Sequence, residues 1–127
     1  MSVESHAVST YFASPDRTPR ERLEKSLAEA LNDPVLQVLL DAVHGYLFVV
    51  DENRQILAAN DELLSALGLT SVHQALGYRA GELMQCEHAK DAPGGCGTSK
   101  DCHKCGALLT LLTSQQSDRP VEGECIL

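Results

Sequence analysis

YLFVVDENRQILAANDELLSALGL, residues 46–69, decides how the rest of the chain is read. Tyr46 to Val50 is aromatic, β-branched and apolar, Asp51-Glu52-Asn53-Arg54 has turn chemistry, and Gln55 to Ala59 resumes as a second apolar run. Two such runs joined by four polar residues predict a β-hairpin. Asn60 then stands where a helix N-cap belongs, the helix runs through Leu67, and Gly68 is placed for a left-handed termination. Ser71 and Gln74 repeat the capping-box spacing ahead of Gly77, so a second short helix follows.

On the N-terminal side, residues 1–17 are rich in Ser, Val and Thr with scattered charge, and read as a flexible arm with some order around Tyr11 and Phe12. Thr18-Pro19-Arg20-Glu21 reads as a capping box with Pro at the first helical position. Leu23, Leu27, Ala30 and Leu31 then share one face of an amphipathic helix that ends near Asn32. Asp33-Pro34 restarts a second helix whose residues Val35 to Val43 are apolar nearly all round, so burial against the domain or a partner is expected. The narrower stripe of the first helix is the better candidate for a dimer contact. The alternative is that both helices cover the sheet of their own domain. On the C-terminal side a helix is expected from about Cys102 to Ser114, carrying Ala107, Leu108, Leu111 and Leu112, and then an extended segment from Val121 to Leu127.

Composition narrows the function classes. The 127 residues carry a net charge of −8, which argues against a nucleic-acid backbone as ligand, because that requires a clustered Lys/Arg surface. No apolar run is long enough to span a bilayer and no leader follows Met1, so a soluble cytoplasmic domain is expected. Trp is absent and aromatics are few, so the core must be aliphatic and a stacking platform for planar cofactors has little to work with.

Four of the five cysteines, Cys86, Cys96, Cys102 and Cys105, fall within QCEHAKDAPGGCGTSKDCHKCGA with the spacing C-x9-C-x5-C-x2-C. A Gly-rich loop can fold back and converge four thiolates on one tetrahedral metal or iron–sulfur cluster. Pro93-Gly94-Gly95 and Gly97 allow the positive-φ turns that would return Cys96 toward Cys102 and Cys105. The latter two fall at the expected start of a helix, where free N–H groups favour thiolates or sulfide. A site of three cysteines and one histidine, with His88 or His103 replacing a thiolate, stays open. Thiolate softness suits a [4Fe–4S] or [2Fe–2S] cluster and also zinc. The uneven spacing places the cluster first, zinc second, and a metal-free dithiol/disulfide switch of Cys102 and Cys105 third. Cys125 alternates with Val121, Gly123 and Leu127 and reads as a small apolar residue rather than a fifth ligand.

The strand, D-E-N-R turn, second strand ending in Ala58-Ala59-Asn60, and following helix resemble the opening of a PAS sensor domain, over roughly Val38 to Leu127. GYRAGELMQCEHAKDAPGGCGTSKDCHKCGA, residues 77–107, is further similar to a cysteine-bearing subset of PAS domains at the sensory end of bacterial histidine kinases and transcriptional regulators. The resemblance implies an α+β fold: a PAS-like five-stranded antiparallel sheet with helices on one face, preceded by an N-terminal helical extension. The chain ends during what would be the first of three closing strands, so the sheet is expected to be incomplete at the C-terminus. Exposed strand edges would then favour a homodimer.

The implied organisation is an arm over 1–17, N-terminal helices for dimerisation or coupling over 18–43, and a C-terminally truncated PAS-like sensor over 44–127. Its expected role is a signal-sensing input module that holds an iron–sulfur cluster through Cys86, Cys96, Cys102 and Cys105. It would relay redox or oxygen state to an effector such as a histidine kinase or transcription-regulatory domain. The alternatives are an interaction module with structural zinc and a dithiol/disulfide switch. Haem on His88 or His103 and a flavin beside Gln85-Cys86-Glu87 rank lower. No catalytic residues are expected. A dithiol oxidoreductase would explain neither Cys86 nor Cys96, and any kinase activity would lie outside these residues.

Overall fold

The four residues between the expected strands close as an Asx turn. Asp51 Oδ1 accepts from the N–H groups of Asn53 (2.8 Å) and Gln55 (3.1 Å), Arg54 N donates to Asp51 O at 3.0 Å, and Arg54 takes φ +65°. The strands on either side are β1, Phe48–Val50, and β2, Ile56–Ala59. They pair antiparallel with Phe48 opposite Ala59 and Val49 opposite Ala58, and the register slips between Val49 and Val50. The computed structural model describes residues 10, 12–90, 93–99 and 102–123. Among them, two compact units are distinguished: Arg17–Met84, and the residues up to Asp16 together with those from Gln85 onward.

In the first unit, helices α1 (Arg20–Leu31) and α2 (Pro34–Ala42) precede the hairpin, and α3 (Asp61–Ala66), a 3₁₀ turn at Val72–Gln74 and α4 (Ala80–Leu83) follow it. Asn60 caps α3 as expected and also ties down the chain before β1. Its Oδ1 accepts from Leu63 N (3.1 Å) and Leu47 N (3.2 Å), while its Nδ2 donates to Gly45 O at 2.7 Å. Gly68 has φ +73°, as its place after α3 requires. Ser71 and Gln74 form their capping box. Helix α4 had no counterpart in the sequence reading. It follows Arg79, whose N–H is accepted by Glu82 Oε1 at 2.9 Å.

The apolar residues of β2 divide between its two faces. Leu57 packs with Leu23 and Leu27 of α1 and with Leu76, whereas Ile56 packs with Leu64 of α3 and with Ala75. Neighbouring residues in a strand point to opposite faces, so helices lie against both faces of this strand rather than the expected one. Ile56 also exchanges hydrogen bonds with the segment after the 3₁₀ turn, donating to Tyr78 O (2.8 Å) and accepting from Gly77 N (3.0 Å).

Three expectations are corrected here. Thr18 does not cap α1: the helix starts after Pro19, no side chain caps it, and the Thr18 hydroxyl donates instead to the Asp51 carboxylate. The stripe of α1, expected to be the better dimer contact, is occupied within its own unit by Leu57, Leu76 and Val72. Helix α2, expected to be buried against the domain or a partner, is not buried against the domain: it has no buried residue within the chain, and Val35 and Val38 are 68% and 65% exposed.

In the second unit, α5 spans Gly106–Gln115 and Cys102–Lys104 forms a separate 3₁₀ turn before it. The helix expected from Cys102 therefore starts later, because Cys105 takes the extended backbone of an N-cap (φ −74°, ψ 115°). Residues 121–123 form no strand. Residues 124–127, including Cys125, and most of the expected N-terminal arm lie outside the described residues. The architecture is α+β, with a two-stranded antiparallel sheet among the described residues. No helix among them is long and apolar enough to cross a membrane.

Candidate functional site

All four candidate ligands belong to the second unit, and all four are thiols rather than disulfides. Cys86 is half-buried and follows Gln85, whose backbone is left-handed at φ +58°. Its carbonyl accepts from Ala89 N at 3.0 Å, closing the 3₁₀ turn Glu87–Ala89. Cys96, also half-buried, lies between Gly95 (φ +84°) and Gly97 (φ +93°), so these two glycines take the positive φ expected of them. Thr98 closes this turn, donating through N (3.2 Å) and Oγ1 (2.7 Å) to Gly95 O.

Thr98 and Ser99 are fully buried, and packing around them leaves no room at Gly94, where a Cβ would stand 2.7 Å from Thr98 Cγ2. Ser99 O then accepts from Cys102 N at 3.0 Å, and Cys102 O accepts from Cys105 N at 3.0 Å. Cys102 and Cys105 are thus set by two successive turns. Cys102 is buried in one cluster with Ala13 and Leu108, and Cys105 and Leu112 pack against it. Cys105 is the N-cap of α5: its Sγ accepts from Leu108 N at 3.5 Å. The electrostatic support expected for both thiols from a helix start therefore reaches Cys105 at the N-cap, with Cys102 one turn upstream.

The structure brings Cys102 and Cys105 to one cluster. It does not draw Cys86 and Cys96 into a finished coordination shell with them: among the described residues, no three His, Cys, Asp or Glu side chains gather into a metal-holding group. The donor set fits a thiolate-bound centre in chemistry, with four soft ligands on one unit. His88 and His103 fall in the two 3₁₀ turns, and their side chains lie outside the described residues.

Sequence reasoning missed Ala13, Thr98 and Ser99, which build the cysteine unit. Small residues carry no periodic signal of burial. Between β1, α3 and α4 of the first unit lies a shallow recess of about 10 Å³, lined by Phe48, Ile56, Leu63, Leu67, Leu83 and Met84. It is entirely apolar and smaller than ordinary cofactor pockets, so it gives a haem or flavin no seat. No protein-family model, curated protein or solved structure matches the chain.

Proposed function

We propose that the chain is a PAS-like signal-sensing input module in which Cys86, Cys96, Cys102 and Cys105 hold an iron–sulfur cluster and relay redox or oxygen state to an effector domain. The observation that carries this reading is the placement of all four thiols in one unit. Cys102 and Cys105 are held there by successive turns, and the N–H of Leu108 is directed at the Cys105 sulfur. The hairpin, its D-E-N-R turn and the Asn60 cap support the PAS-like reading of residues 44–127.

A bound cluster would supply an oxygen-labile, electron-accepting centre. The chain's own part is to present thiolates and to direct backbone donors at them. The positive-φ glycines at 95 and 97 give the Cys96 loop the freedom to close on the Cys102–Cys105 turn, so that binding and ordering are coupled. The module works in the cytoplasm as a homodimer, a role for which the uncovered apolar face of α2 is suited, with a histidine kinase or transcription-regulatory domain as effector. No catalytic role is assigned to its residues.

Iron and acid-labile sulfide analysis of anaerobically purified protein tests the proposal. Iron and sulfide in comparable amounts, with visible absorbance that fades in air, are expected. Stoichiometric zinc without iron or sulfide would replace the cluster with structural zinc. Protein without any metal would leave Cys102 and Cys105 as a dithiol that releases two electrons and two protons to an external oxidant on forming a disulfide.

A further inference from the structure

We infer that the segment Phe12–Asp16 is a strap that governs chemical access to Cys102. It lies far from the cysteines in sequence, yet it belongs to their unit and is fastened there through Ala13 and Pro15. The Ala13 N–H donates to Gly97 O at 2.9 Å, and the Ala13 side chain is buried in the cluster that contains Cys102 and Leu108. Pro15 packs beside Gly94, in the crowded turn that leads to Cys96: a Cβ on Gly94 would lie 3.0 Å from Pro15 Cβ. The strap is also folded on itself. The Thr10 hydroxyl donates to Ala13 O and accepts from Phe12 N at 3.2 Å, and Ser14 Oγ accepts from Asp16 N at 3.1 Å.

Cys102 is 5% exposed, so a metal or a reagent reaches its sulfur only when this cluster opens. Cys102 lies in a 3₁₀ turn and Leu108 in α5, whereas Ala13 lies in no helix or strand. Opening therefore proceeds by lifting Ala13. Occupation of Cys102 and seating of the strap then oppose one another, and linkage makes the effect reciprocal. Only Arg17, Thr18 and Pro19 separate the strap from α1, so the strap is a direct covalent route from the state of Cys102 to the N-terminal helices. This inference rests on the cysteines being the responsive site, but its test does not depend on which metal they bind.

The test is alkylation of the reduced, metal-free 127-residue chain with iodoacetamide, followed at each cysteine by peptide mass mapping. In the wild type Cys102 should react more slowly than half-buried Cys86. Ala13→Asp places a carboxylate in an apolar cluster and should speed Cys102 at least about tenfold, a modest share of the cost of burying an unpaired charge, while Cys86 is unchanged. No acceleration at Cys102, or equal acceleration at every cysteine, overturns the proposal. A second measurement needs no substitution. Between wild-type chain alkylated only at its faster cysteines and the same chain alkylated at Cys102 as well, the Ala13 amide should lose its protection from hydrogen exchange while the Leu109 amide keeps its own. Protection retained at Ala13 overturns the proposal, whatever metal analysis shows.

Discussion

The Thr18 hydroxyl donates to the carboxylate of Asp51, 33 residues further along the chain, and accepts from Asn53 Nδ2 at 3.0 Å. The Thr18 N–H is accepted by Gln55 Oε1, and Gln55 Nε2 in turn donates to Gly77 O at 2.8 Å. One buried threonine thereby joins the start of α1, the hairpin turn and the Gly77 turn. Thr18→Ala removes a donor and an acceptor together and should cost about 1–3 kcal/mol, because the Asp51 and Asn53 groups lose a buried partner. Thr18→Ser should cost less than Thr18→Ala, and urea denaturation followed by far-ultraviolet circular dichroism ranks the two.

The two N-terminal helices should respond oppositely to truncation. Leu27→Ala opens a cavity against Leu76 and Leu57 and should cost about 2–5 kcal/mol. Val35→Ala, at a position 68% exposed within the chain, should cost less than Leu27→Ala in the same denaturation experiment.

Pairing of two copies through α2 makes a separate prediction. The wild-type chain should sediment as a dimer at micromolar concentration, and Val38→Asp, at a position 65% exposed, should sediment as a monomer with its circular dichroism unchanged. A wild-type chain that sediments as a monomer removes α2 as a contact between copies.

Gly77 and Gly68 separate backbone strain from crowding. Both have positive φ, but a Cβ at Gly77 would meet Leu23 Cδ1 at 3.0 Å, whereas nothing lies within 4 Å at Gly68. Gly68→Ala should cost about 1–2 kcal/mol for the left-handed conformation alone. Gly77→Ala should cost more than Gly68→Ala, with the difference measured as a shift in the denaturation midpoint.

Four-cysteine ligation predicts that Cys86→Ser and Cys96→Ser each bring iron and sulfide content close to background, while Cys125→Ser leaves both unchanged. Retention of metal in both Cys86→Ser and Cys96→Ser would confine the chemistry to Cys102 and Cys105. Elemental analysis of anaerobically prepared variants reads the difference.

What the sequence determined by itself is local. The Asx turn at Asp51, the Asn60 cap, the Gly68 terminator, the Ser71–Gln74 box and the Asp33-Pro34 restart each involve groups a few residues apart, so residue type and spacing suffice to read them. The Gly-rich turn around Cys96 was legible for the same reason. What only the tertiary structure decided depends on which distant group comes nearest. Thr18 could have capped α1, but Asp51 and Asn53 offered its hydroxyl partners in a buried place, and an unmet buried polar group costs more than an uncapped helix end. The apolar face of α2 carried the stronger hydrophobic signal, yet β2 has room on that side for the leucines of α1. Ala13 had no signal at all, because a methyl group is buried or exposed only according to what folds over it, and here that is the cluster around Cys102.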